Sequence, residues 1–246
     1  MRLQYIIFMV AFLSCKKNTQ PLITSTETKL SANTNEVLKS EQKPLKHTVK
    51  VIECPIDSLN MQTSDFNNIK FYTENTIRGN GVIQLFINNK IEILNYDKTT
   101  FGNISFVDNS FIISLPQKVV AREVIPDSEF QIFSFDAEQP NTDKDYLIIY
   151  INKEKKLVAK KGLKYYFLLW NDYVKSAFIQ LTSNVDNASN DELNYWYKAI
   201  EIKGDSMRIK SIPKSSCDYI ENYKYVTKWI KWKKNNCKLI KFNFCY

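Results

Sequence analysis

Hydrophobic positions fall into three regimes along the chain. The first is an unbroken apolar run, Tyr5 to Leu13, which follows Arg2 and closes at Ser14 and Cys15. The second, residues 16–48, is dominated by Lys, Thr, Ser, Asn, Gln and Glu. Its scattered Leu22, Ile23, Leu30, Val37 and Leu38 hold neither a helical nor a strand period. From Val49 onward, short apolar runs are separated by Asn, Asp, Gly and Lys turns, which is the punctuation of β-strands. These changes divide the chain into residues 1–14, residues 15–48 and a β-rich domain over 49–246.

Four hairpins are expected. Val82–Ile87 and Ile91–Tyr96 flank Asn88-Asn89-Lys90, and Ile104–Val107 and Phe111–Leu115 flank Asp108-Asn109. Tyr146–Ile151 turns through Lys153-Glu154-Lys155, and Trp196–Ile202 turns through Lys203-Gly204-Asp205 into Met207–Ile212. Asn, Asp and Gly tolerate the positive φ that such turns demand. Further strands are expected around Phe130–Phe135, Tyr165–Trp170 and Ala177–Leu181. With short loops and no alternating helices, the pattern reads as antiparallel all-β, a sandwich or a barrel of roughly ten to twelve strands. Near the end, Tyr219, Tyr223, Val226 and Ile230 keep a helical face after a Ser216 cap, whereas Ile240, Phe242 and Phe244 alternate as a strand. A minor C-terminal helix or an irregular segment, leading into a final strand, is therefore expected.

The N-terminal apolar run has nine residues, too few for a spanning helix, which needs about 20; its length suits the core of a secretory signal. Phe12-Leu13-Ser14-Cys15 resembles the lipobox of bacterial type II signal peptides, although Phe-Leu departs from the commonest Leu-Ala-Gly-Cys pattern. The resemblance implies cleavage before Cys15, a diacylglyceryl group on its sulfur and frequent acylation of the new amine. It thus implies a membrane partner, reached through lipid. Cleavage leaves 232 of the 246 residues, within the range of one all-β domain. Residues 16–48 are too polar to offset their ordering entropy and read as a tether reaching about 30 Å. Lys16-Lys17-Asn18-Thr19 carries no acidic run of the kind some surface-exported lipoproteins show, which tilts the expectation to an outer-membrane protein facing the periplasm.

Charge is unevenly placed. The formal net charge is +8, yet residues 51–223 hold 19 basic against 23 acidic side chains, while residues 224–246 hold seven Lys and no acid. The basic character sits at the ends, so the overall pI gives no ground for expecting nucleic acid as a partner. Lys228-Trp229-Ile230-Lys231-Trp232-Lys233-Lys234 mixes cations with aromatics. That marks Trp229 and Trp232 as candidate binding residues, with a solvated lysine face over core tryptophans as the alternative.

Catalytic chemistry is narrowly constrained. The only histidine, His47, lies in the tether, which removes His-dependent triads and His-bearing zinc sites from the domain. Gly79-Asn80-Gly81 lacks the third glycine of a phosphate loop, and no cofactor or catalytic residue is assigned. Asn141-x-Asp143-x-Asp145 has calcium-like spacing, but Tyr146 and Asn152 replace the Gly and Glu such a loop needs, so no metal is assigned. Cys54, Cys217, Cys237 and Cys245 are an even set in an exported domain and are candidate disulfide partners, with a bridge pinning the basic tail preferred over buried free thiols. Carboxylate chemistry stays open through Asp127/Glu129, Asp136/Glu138 and Asp191/Glu192. Two functions survive: a lipid-anchored module binding a glycan or envelope protein, and a carboxylate-dependent envelope hydrolase acting on polysaccharide.

Overall fold

Extended backbone dominates the computed structural model, which describes residues 54, 60–61, 68–213 and 223–245, all within the unit Lys50–Tyr246. Cys15, the tether, Cys217 and the Ser216 cap lie outside the described residues. The first strands are β1 (Asn60–Met61), β2 (Lys70–Thr73), β3 (Gly81–Phe86), β4 (Ile91–Asn95), β5 (Thr100–Val107) and β6 (Ser110–Ser114). They continue as β7 (Lys118–Val120), β8 (Glu123–Ile125), β9 (Ile132–Ala137), β10 (Tyr146–Ile151), β11 (Glu154–Ala159) and β12 (Lys164–Leu169). After α1 (Trp170–Ser176), the one α-helix among the described residues, come β13 (Phe178–Leu181), β14 (Trp196–Lys203) and β15 (Ser206–Ile212). The last are β16 (Thr227–Lys231), β17 (Lys233–Lys234), β18 (Cys237–Lys238) and β19 (Ile240–Asn243). The fold is all-β.

Two antiparallel sheets carry it. Nine strands form the larger, ordered β12-β3-β9-β10-β11-β4-β5-β6 with β8 beside β9; five form the smaller, ordered β16-β15-β14-β13-β19. Many of the remaining strands are two- to four-residue pieces, which is why the described segments outnumber the ten to twelve expected from sequence. Three expected hairpins are present. Asp108 and Asn109 turn β5 into β6, and Asn152 and Lys153 turn β10 into β11, all four at positive φ; Glu154 and Lys155, expected in that second turn, already belong to β11. Gly204, at φ 57, opens the turn from β14 to β15.

The fourth expected hairpin is not one. β3 pairs with β12 and β9, and β4 pairs with β11 and β5, so three strands separate them. Asn88, Asn89 and Lys90 all keep negative φ, so the loop lacks the primed-turn conformation that would fold β4 back on β3. β3 instead takes a central place because both its faces are apolar. Ile83 and Leu85 enter one core, with Phe71, Phe133 and Phe135, while Val82 enters a second, with Tyr173, Tyr197, Met207 and Trp232.

Two further corrections concern local structure. The strand expected through Trp170 stops at Leu169, because Trp170 opens α1 and donates its indole N–H to the Arg78 carbonyl at 3.1 Å. The helical alternative for Tyr219–Ile230 is overturned in its described part, where residues 223–226 are irregular. Thr227–Lys231 is extended and pairs with β15, Arg208 opposite Trp229 and Met207 opposite Ile230. The final strand, β19, pairs with β13.

Cys54 and Cys237 are joined by a disulfide spanning 183 positions, with Cα atoms 5.3 Å apart. Beside it Ile77 donates to the Asn236 carbonyl and Lys238 to that of Asn75. The bridge ties the start of the domain to β18. Cys245 is disulfide-bonded as well.

Candidate interaction face

Four of the six candidate carboxylates, Asp127, Asp136, Glu138 and Glu192, are held in close hydrogen bonds. Asp136, on β9, takes a two-pronged bond from Arg122, Nε to Oδ1 at 2.7 Å and Nη2 to Oδ2 at 2.9 Å, and a third from the Arg78 backbone N–H at 2.9 Å. Both members of the pair are buried, and the guanidinium stands 5.0 Å over the Trp170 ring. Arg122 also donates to the Thr76 carbonyl. This is a polar rivet between β9 and α1. Glu138 accepts from the Tyr150 hydroxyl at 2.6 Å and pairs with Lys155 at 3.0 Å. The tyrosine bond above all holds the Glu138 carboxyl below its usual range. Burial first, then Glu138, pushes Tyr150 up to about 12.

Asp127 caps the Glu129 N–H at 2.7 Å. Glu192 bonds Lys228 at 2.6 Å and the Ser189 N–H at 2.8 Å; burial pushes its carboxyl up, but these partners outweigh it and leave the group lowered. Asp191 is exposed beside Lys224. A groove of about 360 Å³ rimmed by Lys90, Lys161 and Lys164, and a cleft of about 170 Å³ beside Gln84, Tyr166 and Tyr173, are lined by none of these six acids. In the calcium-like loop, Asp143 Oδ1 accepts from the backbone of Asp145 and Tyr146, while the Lys160 ammonium bonds the Pro140 and Asp143 carbonyls. The loop's backbone carbonyls thus hold the Lys160 ammonium, and Asp143 Oδ1 is taken up by backbone N–H groups. No metal-binding cluster occurs among the described residues.

The five-stranded sheet presents a different chemistry. Its inner face, with Ile179, Tyr197, Ala199, Met207, Ile209 and Ile230, fills the second core. Because side chains alternate along a strand, the register sends the intervening residues outward: Lys198 opposite Lys210, Glu201 opposite Arg208, Arg208 opposite Trp229, and Gln180 opposite Lys241. Trp196, Phe178, Lys203 and Lys231 share this side. A bulge between Ala199 and Glu201 adds Ile200, 45 % exposed.

Cations and rings interleave across the face. Lys198 lies 3.7 Å from the Phe178 ring centre, Lys203 5.3 Å from Trp229, and Lys210 5.4 Å from Tyr225. Phe178 and Trp196 meet edge-on at 6.3 Å. Burial lowers the Lys198 pKa, and its ammonium donates to the Ser176 and Ala177 carbonyls at the end of α1. The acid on the face, Glu201, is tied to Lys203 at 2.7 Å and Arg208 at 3.3 Å.

The structure separates the two tryptophans marked in the sequence. Trp229 is 45 % exposed on this face, whereas Trp232 is 1 % exposed and donates its indole N–H to the Gly204 carbonyl at 3.1 Å. Trp232 is a core residue. Sequence reasoning missed Arg208, Lys210 and Lys198 as members of a face, although the alternation in Ser206–Ile212 carries the signal. It also missed Lys238, which is buried on β18 with its ammonium 5.0 Å from the Phe242 ring. Burial first, then Arg122, lowers its pKa to about 7.

Comparison with protein-family models, with curated proteins and with solved structures finds no match. Among the described residues no helix is long and apolar enough to cross a membrane.

Proposed function

We propose that this chain is a membrane-anchored lipoprotein that presents a β-rich binding module in the cell envelope. The lipid sits on Cys15, and the module hangs from the outer membrane into the periplasm on a tether of residues 16–48. The observation that carries the binding reading is the exposed face of the five-stranded sheet, where Trp229, Phe178 and Trp196 alternate with lysines and Arg208. Trp229 is exposed, Phe178 and Trp196 are half-buried beside it, and an exposed indole among cations is a group a ligand can use and a core cannot. The candidate acids speak for the module over the hydrolase, because Asp136, Glu138 and Glu192 are held in bonds to cations. The lipobox resemblance at Phe12-Leu13-Ser14-Cys15 supports the anchor.

The anchor is tested by replacing Cys15 with Ala, then following radiolabelled palmitate and membrane fractionation. The wild-type chain is expected to be labelled and to sediment with membranes, and the variant to lose both. A variant that remains labelled and membrane-bound refutes the site.

A further inference from the structure

The geometry points to an acidic polysaccharide as the ligand of the five-stranded sheet's outer face. This rests on reading the chain as an envelope binding module, and it supplies that module's ligand class.

Charge is the first ground. The cross-strand register gathers Lys198, Lys203, Arg208, Lys210, Lys231 and Lys241 on one side of one sheet, where Glu201 is the one acid among the described strand residues. Residues 51–223, which include four of these six cations, hold 19 basic against 23 acidic side chains, so the positive charge is local to the face. Lys198 bonds the Ser176 and Ala177 carbonyls and Lys203 and Arg208 share Glu201, so the face keeps a surplus of positive charge that a chain bearing carboxylates or sulfates neutralises and a neutral ligand does not. Shape is the second. Five adjacent strands at about 4.8 Å spacing make a platform roughly 19 Å wide, suited to an extended polymer and not to a small molecule needing enclosure. The apolar C–H face of a sugar ring stacks on the exposed Trp229 indole as the Lys203 ammonium, 5.3 Å from that ring, turns to the sugar's acidic substituent.

Other anionic partners fit less well. Inserting Trp229 into a bilayer would carry Arg208, its direct cross-strand neighbour, into the acyl region, at a cost of several kcal/mol of desolvation. A protein interface concentrates apolar anchors at a charge-depleted centre, but here cations lie over the rings themselves. Nucleic acid offers both phosphates and stacking bases, and it is the periplasmic placement proposed above that makes a glycan the partner.

The test titrates the full chain, purified in neutral detergent, with polygalacturonate, neutral dextran, a single-stranded thymidine oligonucleotide, and micelles doped with phosphatidylglycerol. Polygalacturonate is expected to bind, with affinity falling as salt rises, and dextran about tenfold or more weaker. Arg208→Ser with Lys210→Ser should weaken binding about tenfold, and Trp229→Ala about fivefold; Lys164→Ser, on the larger sheet, should leave it unchanged. Equal affinity for dextran, tighter binding of the oligonucleotide or the doped micelles, or indifference to all the face variants overturns the ligand assignment. Reducing ends released in the same samples would instead overturn the binding-module reading, so the two failures are distinguishable.

Discussion

Asn in place of Asp136 preserves the shape of the side chain and removes its charge. The wild-type carboxylate accepts two bonds from Arg122 and one from the Arg78 backbone, and both partners of the pair are about 5 % exposed. Without the carboxylate, a guanidinium stays buried against Trp170 without its counter-charge. Breaking such a pair by removing one partner costs about 3–5 kcal/mol, equivalent to a fall of roughly 10 °C in Tm for a domain of this size. Urea unfolding of the full chain, followed by tryptophan fluorescence, should show the midpoint falling with the denaturant slope unchanged. Arg122→Met alone should be comparably destabilising, and the double variant should be more stable than the sum of the two losses implies. A loss below about 1 kcal/mol for Asp136→Asn, or strict additivity in the double variant, would refute the claim that this pair rivets β9 to α1.

Lys238 makes stability rise with pH. Its folded pKa of about 7 lies below the ordinary 10.5, so between those values the unfolded chain binds more protons and the slope is positive. Arg122, Asp136, Lys241 and Glu123 set the field there. Lys238→Met should abolish a difference on the order of 4 kcal/mol between pH 7 and pH 10, read as Tm at the two pH values; an undiminished pH dependence contradicts the assignment. Breaking the Cys54–Cys237 bridge with Cys237→Ser should cost up to about 5 kcal/mol by chain entropy for a 183-residue loop. Intact mass after alkylation without reduction should show Cys54, Cys237 and Cys245 unmodified; labelling of any of them removes its bridge.

Turn chemistry was the most legible feature of the fold. Asp108-Asn109 and Gly204-Asp205 mark reversals that chain geometry permits to few residues, and both form where the sequence places them. Asn88-Asn89 has the same composition but a different outcome, because whether β4 folds back on β3 depends on which strands compete for the edges of β3. Phe167 and Phe135, both facing Ile83, lie far away in sequence. Trp229 and Trp232 were indistinguishable for a related reason. Tyr223, Val226 and Ile230 match a helical period, and that reading conceals the strand alternation which turns Trp229 outward and Ile230 inward. The lysines of the last strands could be counted from sequence. Their assembly with Arg208, Lys198 and Phe178 on one side of one sheet follows from pairings that a single sequence does not encode locally.

The outer face of the five-stranded sheet is tested most directly by the indole N–H resonances of Trp229 and Trp232 during titration of the full chain with polygalacturonate. Trp229, exposed beneath Lys203, should shift progressively, and Trp232, sealed in the core on the Gly204 carbonyl, should stay still. A shift of Trp232 with Trp229 unmoved, or saturable binding that moves neither, would place the ligand elsewhere and contradict the account.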